Sequence, residues 1–543
     1  MILRPKVAAG LGLAVVAAVW VVRVATLSRY EAVASPDSGA RLEMVRTFLS
    51  GGSLFHVAGP LELHPFSFYL ASVPAGNVFF YAPLFPLLSA VPFRLAGFPG
   101  LVVLPLLAGL AACGATALAG KRLGLAAWPA LIPVTGLATA LFFYSVLFWD
   151  HSLLVAVAAG AAYGMARGDL RGGVVAGALL GAGTFLHELV ILLGCAVVAA
   201  GLLCRSTRRA AAVAGAAFGT GLAAWSALNV ALYGLPVSAH SRGVNQPSAE
   251  FLLREMSPPR LWDRAVEELA GWPTNATVHR FALVFLAGLF LAARFVPRST
   301  RLLPEILCGA AFFSFAADRT NHVVGGLFTA SPFLCLALLA PLAAKAGSAP
   351  RDVAAAWMAR SSLLFGLAVL LLPVGPGWGW GSRYLLTAIP LLVLLAARAA
   401  EELLAAEAPL GGQLALAAFL AGSVVLQWHG TNAIRGAYRS WSTLRSEVNR
   451  SQAEVLLTDS FAVGPCLVPI GLAKPVLYLD RPGFGPILRE RLDREGVRTI
   501  GWFGRKEGLE NLLLELSASR PPFVRAASKD VGSVEILERP PAS

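Results

Sequence analysis

Long apolar stretches follow one another along the chain up to residue 428. Most of them approach the length of about 20 residues that an α-helix needs to cross the hydrocarbon core of a bilayer. The first, 7–27, follows Arg4 and Lys6, and no small-residue cleavage site comes after it. We therefore expect a retained helix there and not a signal peptide. Together the stretches predict about thirteen transmembrane helices. The others lie at 99–119, 125–147, 151–166, 173–186, 189–204, 210–232, 280–297, 302–317, 326–344, 361–376, 384–403 and 412–428.

The low content of charged residues also indicates a membrane protein. Only 14% of the residues are charged and 57% are hydrophobic, whereas soluble domains carry about 25% charged residues. The net charge of +13 does not indicate nucleic-acid binding, because the basic residues cluster between apolar spans and no reading motif is present. The six cysteines show neither paired nor metal-like spacing, so the sequence predicts no disulfide framework and no zinc site.

The distribution of basic residues between the loops predicts the orientation. Short cytoplasmic loops carry an excess of Lys and Arg. With the amino terminus inside, the short inner turns are rich in these residues, and the short outer turns hold only Arg319 and Arg383. The longer outer loops, 28–98 and 235–279, carry several arginines, but long loops follow the rule less strictly. We expect an integral protein of the bacterial inner membrane with residues 429–543 outside. The inner turns contain Lys121, Arg122, Arg167, Arg171, Arg205, Arg208, Arg209, Arg294, Arg298, Arg301, Lys345, Arg351, Arg360 and Arg398.

Residues 173–204 are predicted to form two helices and not one. His187 and Glu188 lie near the middle of this stretch, and ionisable side chains are costly in the hydrocarbon region. A single helix would also invert the orientation of every later span, which would place the arginine clusters outside the cell.

Two regions outside the spans have their own patterns. The first outer loop, 28–98, contains the apolar segment 79–97, which three prolines interrupt. This pattern predicts helices that lie on or dip into the outer membrane face, with a further spanning helix as the alternative. After residue 428, strand-like runs alternate with helical runs, which predicts a small α/β domain at 429–543. No glycine-rich nucleotide-binding motif is present in it.

On this topology, polar side chains collect at the outer ends of the helices. Two carboxylates can provide a base and an orienting group, and a planar guanidinium suits a phosphate. Such groups on one side of a largely uncharged protein indicate a site. They are Asp37, Asp150, His151, His187, Glu188, Asn321, His322, Arg383 and Tyr384.

Each of these residues also has a purely structural explanation. Asp37 lies in the first turn of a helix for which Ser35 is a good N-cap, and a carboxylate there favours the helix dipole. Asp150 would cap the helix that follows it. The histidine and glutamate at 187–188 would be a satisfied polar pair, and Arg383 would anchor a helix end beside two tryptophans.

The order of the acidic residues and motifs along the chain resembles that of a known protein family. An acidic residue lies in a large first outer loop, and "YAPLFPLL" follows it in that loop. A second acidic residue follows an "FYS…W" helix, and "WGWGSRYLLTAIPLL" lies near the end of the spans. This order resembles the GT-C integral-membrane glycosyltransferases, especially protein O-mannosyltransferases and the lipid A aminoarabinose transferase. The resemblance covers 1–403, and the outer domain extends it to the carboxyl end.

The resemblance implies a polytopic α-helical fold with an extracytoplasmic α/β domain, and a specific activity. Such enzymes move a sugar from a polyprenyl-phosphate carrier to a lipid, glycan or protein acceptor outside the cytoplasm. At matching positions, Asp37 would be the base or the group that orients the acceptor, and Asp150 the second carboxylate. Arg383 and Tyr384 would meet the lipid phosphate, and Tyr81 would line the site. Further candidates for lining the site are His151, His187, Glu188, Asn321 and His322.

The chain departs from the mannosyltransferase pattern at one point, because Ser38 and not a second acid follows Asp37. The type of acceptor and the identity of the base therefore stay open at this stage. No cofactor is implied with certainty, although Asp37, Asp150 and His322 could together bind a divalent metal ion.

Two other functional classes stay open from the sequence. A flippase or transporter commonly uses broken helices, charges near mid-membrane and internal repeats, whereas the charges here lie at outer helix ends and no long repeat is evident. An oligosaccharide polymerase or ligase also uses a lipid-linked sugar and would have its key arginines in a large late loop. The 235–279 loop contains such arginines, Arg242, Arg254, Arg260 and Arg264.

Overall fold

The structure is a computed structural model that describes most of the chain, and the described part divides into two compact units. The first unit comprises Met1–Ala25, Val102–Leu228 and Pro247–Ala433, and the second comprises Thr26–Leu101, Asn229–Gln246 and Ile434–Ser543. The described residues are 4–52, 63–242, 254, 256–270, 326–338, 350–372, 382–405, 410–479, 484–517, 522–526 and 534–539.

Helices make up almost all of the described part of the first unit. Three helices of the described chain are long and apolar enough to cross a membrane, namely Pro5–Ser28, Phe98–Arg122 and Arg208–Tyr233. Shorter helices accompany them: Leu131–Leu137, Leu141–Ser145, His151–Arg167, Leu170–Gly183, Leu189–Leu202, Pro258–Ala270, Leu327–Ala330, Pro350–Leu370 and Ile389–Ala405. Helix Leu410–Arg450 has 41 residues and continues well beyond the predicted span 412–428.

The number of about thirteen spans stays a prediction, since 280–297, 302–317 and parts of 326–344 and 361–376 lie outside the described residues. The expectation of two helices in 173–204 is met, because one helix ends at Gly183 and the next begins at Leu189.

The predicted single span at 125–147 differs from the structure. This stretch forms two short helices, which are separated around Thr139. The Thr139 hydroxyl donates to the Thr135 carbonyl at 2.6 Å, and the Ala140 N–H donates to the Ser331 hydroxyl at 3.1 Å. Side chains thus replace the backbone partners that a continuous helix would have used, and apolar content alone cannot reveal this.

Small residues bring helices Leu170–Gly183 and Arg208–Tyr233 into close contact. On Leu170–Gly183, an ideal Cβ at Gly173 would lie 2.4 Å from the carbonyl oxygen of Ala210, and one at Gly177 would lie 2.2 Å from that of Ala214. Side chains at these positions would therefore separate the helices, as in the small-residue contacts typical of membrane helices.

A buried arginine links the first helix to helix Leu410–Arg450. The Arg23 guanidinium donates to the Thr431 hydroxyl at 2.8 and 3.0 Å and to Oδ1 of Asn432 at 2.5 Å. Its Cζ also lies 3.9 Å from the ring centroid of Trp428. Because a charge in an apolar surrounding is costly without partners, this set of contacts explains how an arginine is accommodated in an apolar helix.

The second unit contains all seven strands of the described chain. β1 (Leu70–Val73) and β2 (Gly76–Phe79) form an antiparallel hairpin in the first outer loop. A mixed sheet in the order β4-β3-β5-β7-β6 follows, with β3, β4 and β5 parallel and β7 antiparallel to both its neighbours. Its strands are β3 (Val455–Thr458), β4 (Val476–Tyr478), β5 (Thr499–Trp502), β6 (Val524–Arg525) and β7 (Glu535–Glu538).

Helices Gly485–Arg494 and Lys506–Leu516 supply apolar side chains to the core of this sheet. Leu488 and Leu492 come from the first helix and Leu509 and Leu512 from the second, and all four are buried with the sheet residues. The α/β pattern read in the sequence corresponds to these elements, whereas the placement of 429–543 outside the membrane stays a prediction.

Described residues of the 28–98 segment pack closely against the chain around this sheet. Leu63 belongs to the core of the sheet, and its carbonyl accepts a hydrogen bond of 3.3 Å from the Tyr478 N–H. An ideal Cβ at Gly39, in helix Pro36–Leu49, would lie 1.9 Å from the carbonyl oxygen of Pro465. Only a glycine allows that approach, so the loop and the carboxyl-terminal segment form one packed body.

The apolar segment 79–97 contains a single helix, Leu84–Ala96, with Pro92 inside it. Thirteen residues correspond to about 20 Å, which is too short to cross a bilayer. Val91 and Leu95 are exposed on this helix, whereas Phe85 is buried. The length and the exposed apolar face agree with an interfacial helix.

Candidate active site

Asp37 lies in the first turn of helix Pro36–Leu49, but it is not the cap of that helix. The cap is Ser35, whose hydroxyl oxygen accepts a hydrogen bond of 3.2 Å from the Ser38 N–H. The predicted start of the helix and its N-cap are therefore confirmed. The carboxylate of Asp37 is half-buried, and the cap of the helix does not involve it.

Tyr81 is the partner of that carboxylate. Its hydroxyl donates a hydrogen bond of 2.5 Å to Oδ1 of Asp37. Burial and the nearby negative charge of Asp37 raise the pKa of Tyr81 well above its ordinary value. The phenol therefore stays protonated and acts as a donor to the carboxylate. Tyr81 lies two residues after the end of β2, so the hairpin places this donor beside the helix start.

Arg41 completes the surroundings of Asp37. It lies one helical turn after Asp37 and is buried, and its Cζ is 4.2 Å from the ring centroid of Tyr81. The ring of Tyr69 stacks on the ring of Tyr81 at 6.0 Å between centroids. We did not select Arg41 from the sequence. Its four-residue spacing from Asp37, which puts both side chains on one helix face, is the signal that could have identified it.

Asp150 and His151 form a buried pair in the first unit. They are 2% and 3% exposed, and the Nδ1–H of His151 donates to Oδ1 of Asp150 at 2.8 Å. Asp150 precedes helix His151–Arg167, but its side chain makes no capping hydrogen bond. The carboxylate thus fixes the orientation of the imidazole ring and does not serve the helix start.

Aromatic rings enclose this pair. The ring of His151 stacks on Tyr144 at 5.1 Å and meets His187 edge-on at 6.0 Å between centroids. His187 lies between two helices, and its Nδ1 accepts a hydrogen bond of 3.1 Å from the Leu189 N–H. Glu188 follows it and is half-buried. The structure therefore brings together the predicted residues at 150–151 and His187.

Arg383 and Tyr384 lie just before helix Ile389–Ala405. The guanidinium of Arg383 donates to the Tyr384 hydroxyl at 2.9 Å, and its Cζ lies 4.9 Å from the Tyr384 ring centroid. The guanidinium of Arg383 is itself a planar donor group of the kind that suits a phosphate. The role of Arg383 and Tyr384 as ligands of a donor phosphate stays a prediction.

Glu268 is a residue near Arg383 that the sequence analysis did not single out. It is 1% exposed and accepts a hydrogen bond from the Ser382 hydroxyl. Burial raises the pKa of Glu268 to about 7, and the positive charge of Arg383 acts in the opposite direction. Because Ser382 is 114 residues away in the chain, no local pattern indicates this contact.

Arg264, one of the arginines of the 235–279 loop, is engaged with the chain itself. Its Nη1 donates to the Leu370 carbonyl at 2.9 Å and also to the Leu372 carbonyl. These carbonyls lie at the end of helix Pro350–Leu370, where backbone acceptors need partners. This arginine therefore anchors a helix end.

Two predicted site residues, Asn321 and His322, lie outside the described residues. Within the described part of the chain, no group of three or more His, Cys, Asp or Glu side chains could hold a metal ion. The structure assigns Asp37 and Tyr81 to the second unit, and the groups around Asp150 and Arg383 to the first.

Comparison with known proteins places the fold. No protein-family model matches the sequence, and the curated proteins contain no significant match. Among solved structures, ArnT from Cupriavidus metallidurans in the apo state has a TM-score of 0.52 and 14% identity, over 98% of this chain and 97% of that chain. The same protein bound to undecaprenyl phosphate has a TM-score of 0.51 and 13% identity, over 98% of both chains.

The chain has the GT-C fold of ArnT. ArnT is the lipid A aminoarabinose transferase, so the resemblance read in the sequence is confirmed at the level of fold. The archaeal oligosaccharyltransferase AglB from Archaeoglobus fulgidus, in complex with an inhibitory peptide and a dolichol-phosphate, also matches. Its TM-score is 0.45 at 10% identity, over 96% of this chain and 74% of AglB.

Proposed function

We propose that this protein is a membrane glycosyltransferase that transfers a sugar from a polyprenyl-phosphate donor to an acceptor outside the cytoplasm. The GT-C fold supports this reaction class by analogy, because ArnT with the same fold binds undecaprenyl phosphate. The observation that carries the proposal is the hydrogen bond of 2.5 Å between Tyr81 and Asp37. It engages a carboxylate that the helix does not need, since Ser35 is the cap.

Asp37 is the proposed base. In an inverting transfer, the acceptor hydroxyl or amine loses a proton as its oxygen or nitrogen bonds to C1 of the sugar. The bond between C1 and the phosphate oxygen breaks at the same time, and polyprenyl phosphate leaves. Asp37 would accept that proton, while the hydrogen bond from the Tyr81 phenol keeps the carboxylate in place.

Asp150 is the proposed orienting carboxylate. Its hydrogen bond to His151 fixes the ring, and His187 meets the same ring edge-on. A histidine with one nitrogen held by a carboxylate presents its other nitrogen in a defined direction. Asp150 and the two histidines would orient the sugar or the acceptor. Glu188 beside them would add a further polar side chain to the site.

Arg383 and Tyr384 are the proposed ligands of the donor phosphate. The planar guanidinium provides several N–H donors toward the phosphate oxygens, which strengthens binding as the phosphate becomes the leaving group. The adjoining phenol adds a further hydroxyl donor. A lysine in place of Arg383 would keep the positive charge but lose the forked set of N–H donors.

The proposed orientation has the amino terminus in the cytoplasm and residues 429–543 outside, in a bacterial inner membrane. The α/β region carries no cofactor motif and would contribute to acceptor docking rather than to donor binding. A reporter fused after residue 430 should behave as extracytoplasmic. A cytoplasmic signal would contradict the proposed sidedness of the reaction.

The experiment that tests the function is a transfer assay with a panel of labelled polyprenyl-phosphate sugars. Membranes that contain the protein should transfer label from one donor to lipid, glycan or protein, and control membranes without it should not. A parallel sample with EDTA would show whether a divalent ion is required. Movement of lipid-linked sugar across vesicles without any transfer would favour a flippase and contradict the proposal.

A further inference from the structure

Glu268 is a buried carboxylate at a position where its own helix does not stabilise a negative charge. It lies in the last turn of helix Pro258–Ala270, where a buried carboxylate is unfavourable because the negative charge is near the negative end of the helix dipole. A buried carboxylate also needs compensating partners. The partners here are the Ser382 hydroxyl and the positive charges of Arg383 and Arg264.

Ser382 is held in an unusual backbone conformation next to Arg383. Its φ is 52°, in the left-handed region that residues other than glycine rarely adopt. Such a conformation persists where the surroundings determine it. Ser382 is buried, and its side chain bonds to Glu268. That bond therefore fixes the residue immediately before Arg383.

The helix that carries Glu268 is anchored at a second point on the same face. Arg264 lies one turn earlier and donates to the carbonyls of Leu370 and Leu372. Two buried polar side chains thus hold helix Pro258–Ala270, one at a helix end and one at the residue before Arg383. A fixed helix is what a support for a binding residue requires.

From this geometry we infer that Glu268 is a positioning residue, which holds Ser382 in its left-handed conformation and thereby aims the Arg383 guanidinium at the phosphate of a lipid-linked donor. The inference rests on the role of Arg383 in the proposed function. Glu268 itself does not touch the donor, so it acts through the arginine.

The test uses the full-length protein, purified in detergent, with the polyprenyl-phosphate sugar that the transfer assay identifies. Glu268→Ala removes the acceptor for the Ser382 hydroxyl and should raise the donor KM about tenfold, while kcat changes less than about threefold. Glu268→Gln keeps an acceptor oxygen and should raise KM less. Asp263→Asn, a half-buried carboxylate on the same helix, is the matched control and should leave KM unchanged.

A double-mutant cycle separates positioning from general stabilisation. Arg383→Ala should raise the donor KM, and adding Glu268→Ala should raise it no further, because the glutamate acts only through the arginine. Effects that multiply in the double variant would overturn the inference. So would a lower thermal stability of Glu268→Ala with an unchanged donor KM. If Glu268→Ala does not fold, Glu268→Gln and Ser382→Ala enter the same cycle.

Binding of undecaprenyl phosphate, measured on the same variants by native mass spectrometry, distinguishes this inference from the proposed function. Binding that depends on Glu268, without any sugar transfer by the wild type, would contradict the function and support the inference. Sugar transfer by the wild type, together with undecaprenyl phosphate binding that is independent of Glu268, would support the function and contradict the inference. Equal competition by inorganic phosphate would overturn the assignment of the ligand as a lipid.

Discussion

The Tyr81 hydroxyl donates to Oδ1 of Asp37 at 2.5 Å and so joins the end of a β-hairpin to the first turn of a helix. Ser35 already caps that helix, and the phenol keeps its proton because its pKa is raised. The carboxylate is therefore held by a neutral donor and is not neutralised by it. This arrangement is suited to a base that must receive a proton.

Removal of the Tyr81 hydroxyl should slow the reaction without preventing donor binding. Tyr81→Phe loses a hydrogen bond to a charged group, and we expect kcat to fall about tenfold because the carboxylate is less well oriented. The donor KM should change little. Steady-state kinetics on the purified protein measure both values. Tyr30→Phe, which alters a hydroxyl bonded to Arg435, serves as the control. An unchanged kcat for Tyr81→Phe would remove Tyr81 from the site.

A methyl group at Gly39 should destabilise the protein. The added Cβ would meet the Pro465 carbonyl oxygen at 1.9 Å, so helix Pro36–Leu49 would have to move away from the segment it packs on. We expect Gly39→Ala to cost about 1–3 kcal/mol or more. Gly436→Ala has open space around it and should be neutral or stabilising by up to about 1 kcal/mol. Thermal unfolding in detergent compares the two, and equal melting temperatures would contradict the close packing.

Arg23 should contribute to stability and not to catalysis. Arg23→Met loses the hydrogen bonds to Thr431 and Asn432, and we expect a loss of about 1.5–3 kcal/mol. Arg29→Met, at an exposed arginine just after the same helix, should stay within about 0.5 kcal/mol of the wild type. The measurement is thermal unfolding combined with the transfer assay at low temperature. A loss of activity at full stability would assign Arg23 a catalytic role.

The stability of the protein should depend on Glu268 in a defined range of pH. Burial raises the pKa of Glu268 from 4.5 to about 7 in the folded state. Between these values the folded protein holds a proton that the unfolded chain has lost, so the contribution of Glu268 to stability falls as the pH rises. The fall amounts to about 3 kcal/mol. Glu268→Gln should lack this part of the pH dependence, and identical pH profiles of melting temperature for both proteins would contradict it.

Much of the fold could be predicted from the sequence, because the length of an apolar stretch and the asymmetry of charge between loops are local properties. The break between Gly183 and Leu189 followed from two ionisable residues in an apolar stretch. The break around Thr139 did not, since it depends on hydrogen bonds to Ser331, which lies 191 residues away from Ala140. Long-range side-chain contacts of this kind leave no periodic signal in a sequence.

The same limit applies to the candidate site. The Asp150–His151 pair and the Arg383–Tyr384 pair join adjacent residues, so the motifs that contain them indicated both. Glu268 was not found, because the polar helix that carries it looks like an ordinary surface helix in an outer loop. Its contact with Ser382 and its proximity to Arg383 arise only in the folded chain.

The most direct measurement of the central claim is the turnover of Asp37→Asn with the labelled polyprenyl-phosphate sugar that the wild type uses. Asn keeps the shape of the side chain and is well tolerated at a helix start, so the fold and the donor KM should be preserved. If Asp37 accepts the acceptor proton, kcat should fall by about 10²–10⁴-fold. A variant that transfers the sugar as fast as the wild type would contradict the assignment of Asp37 as the base.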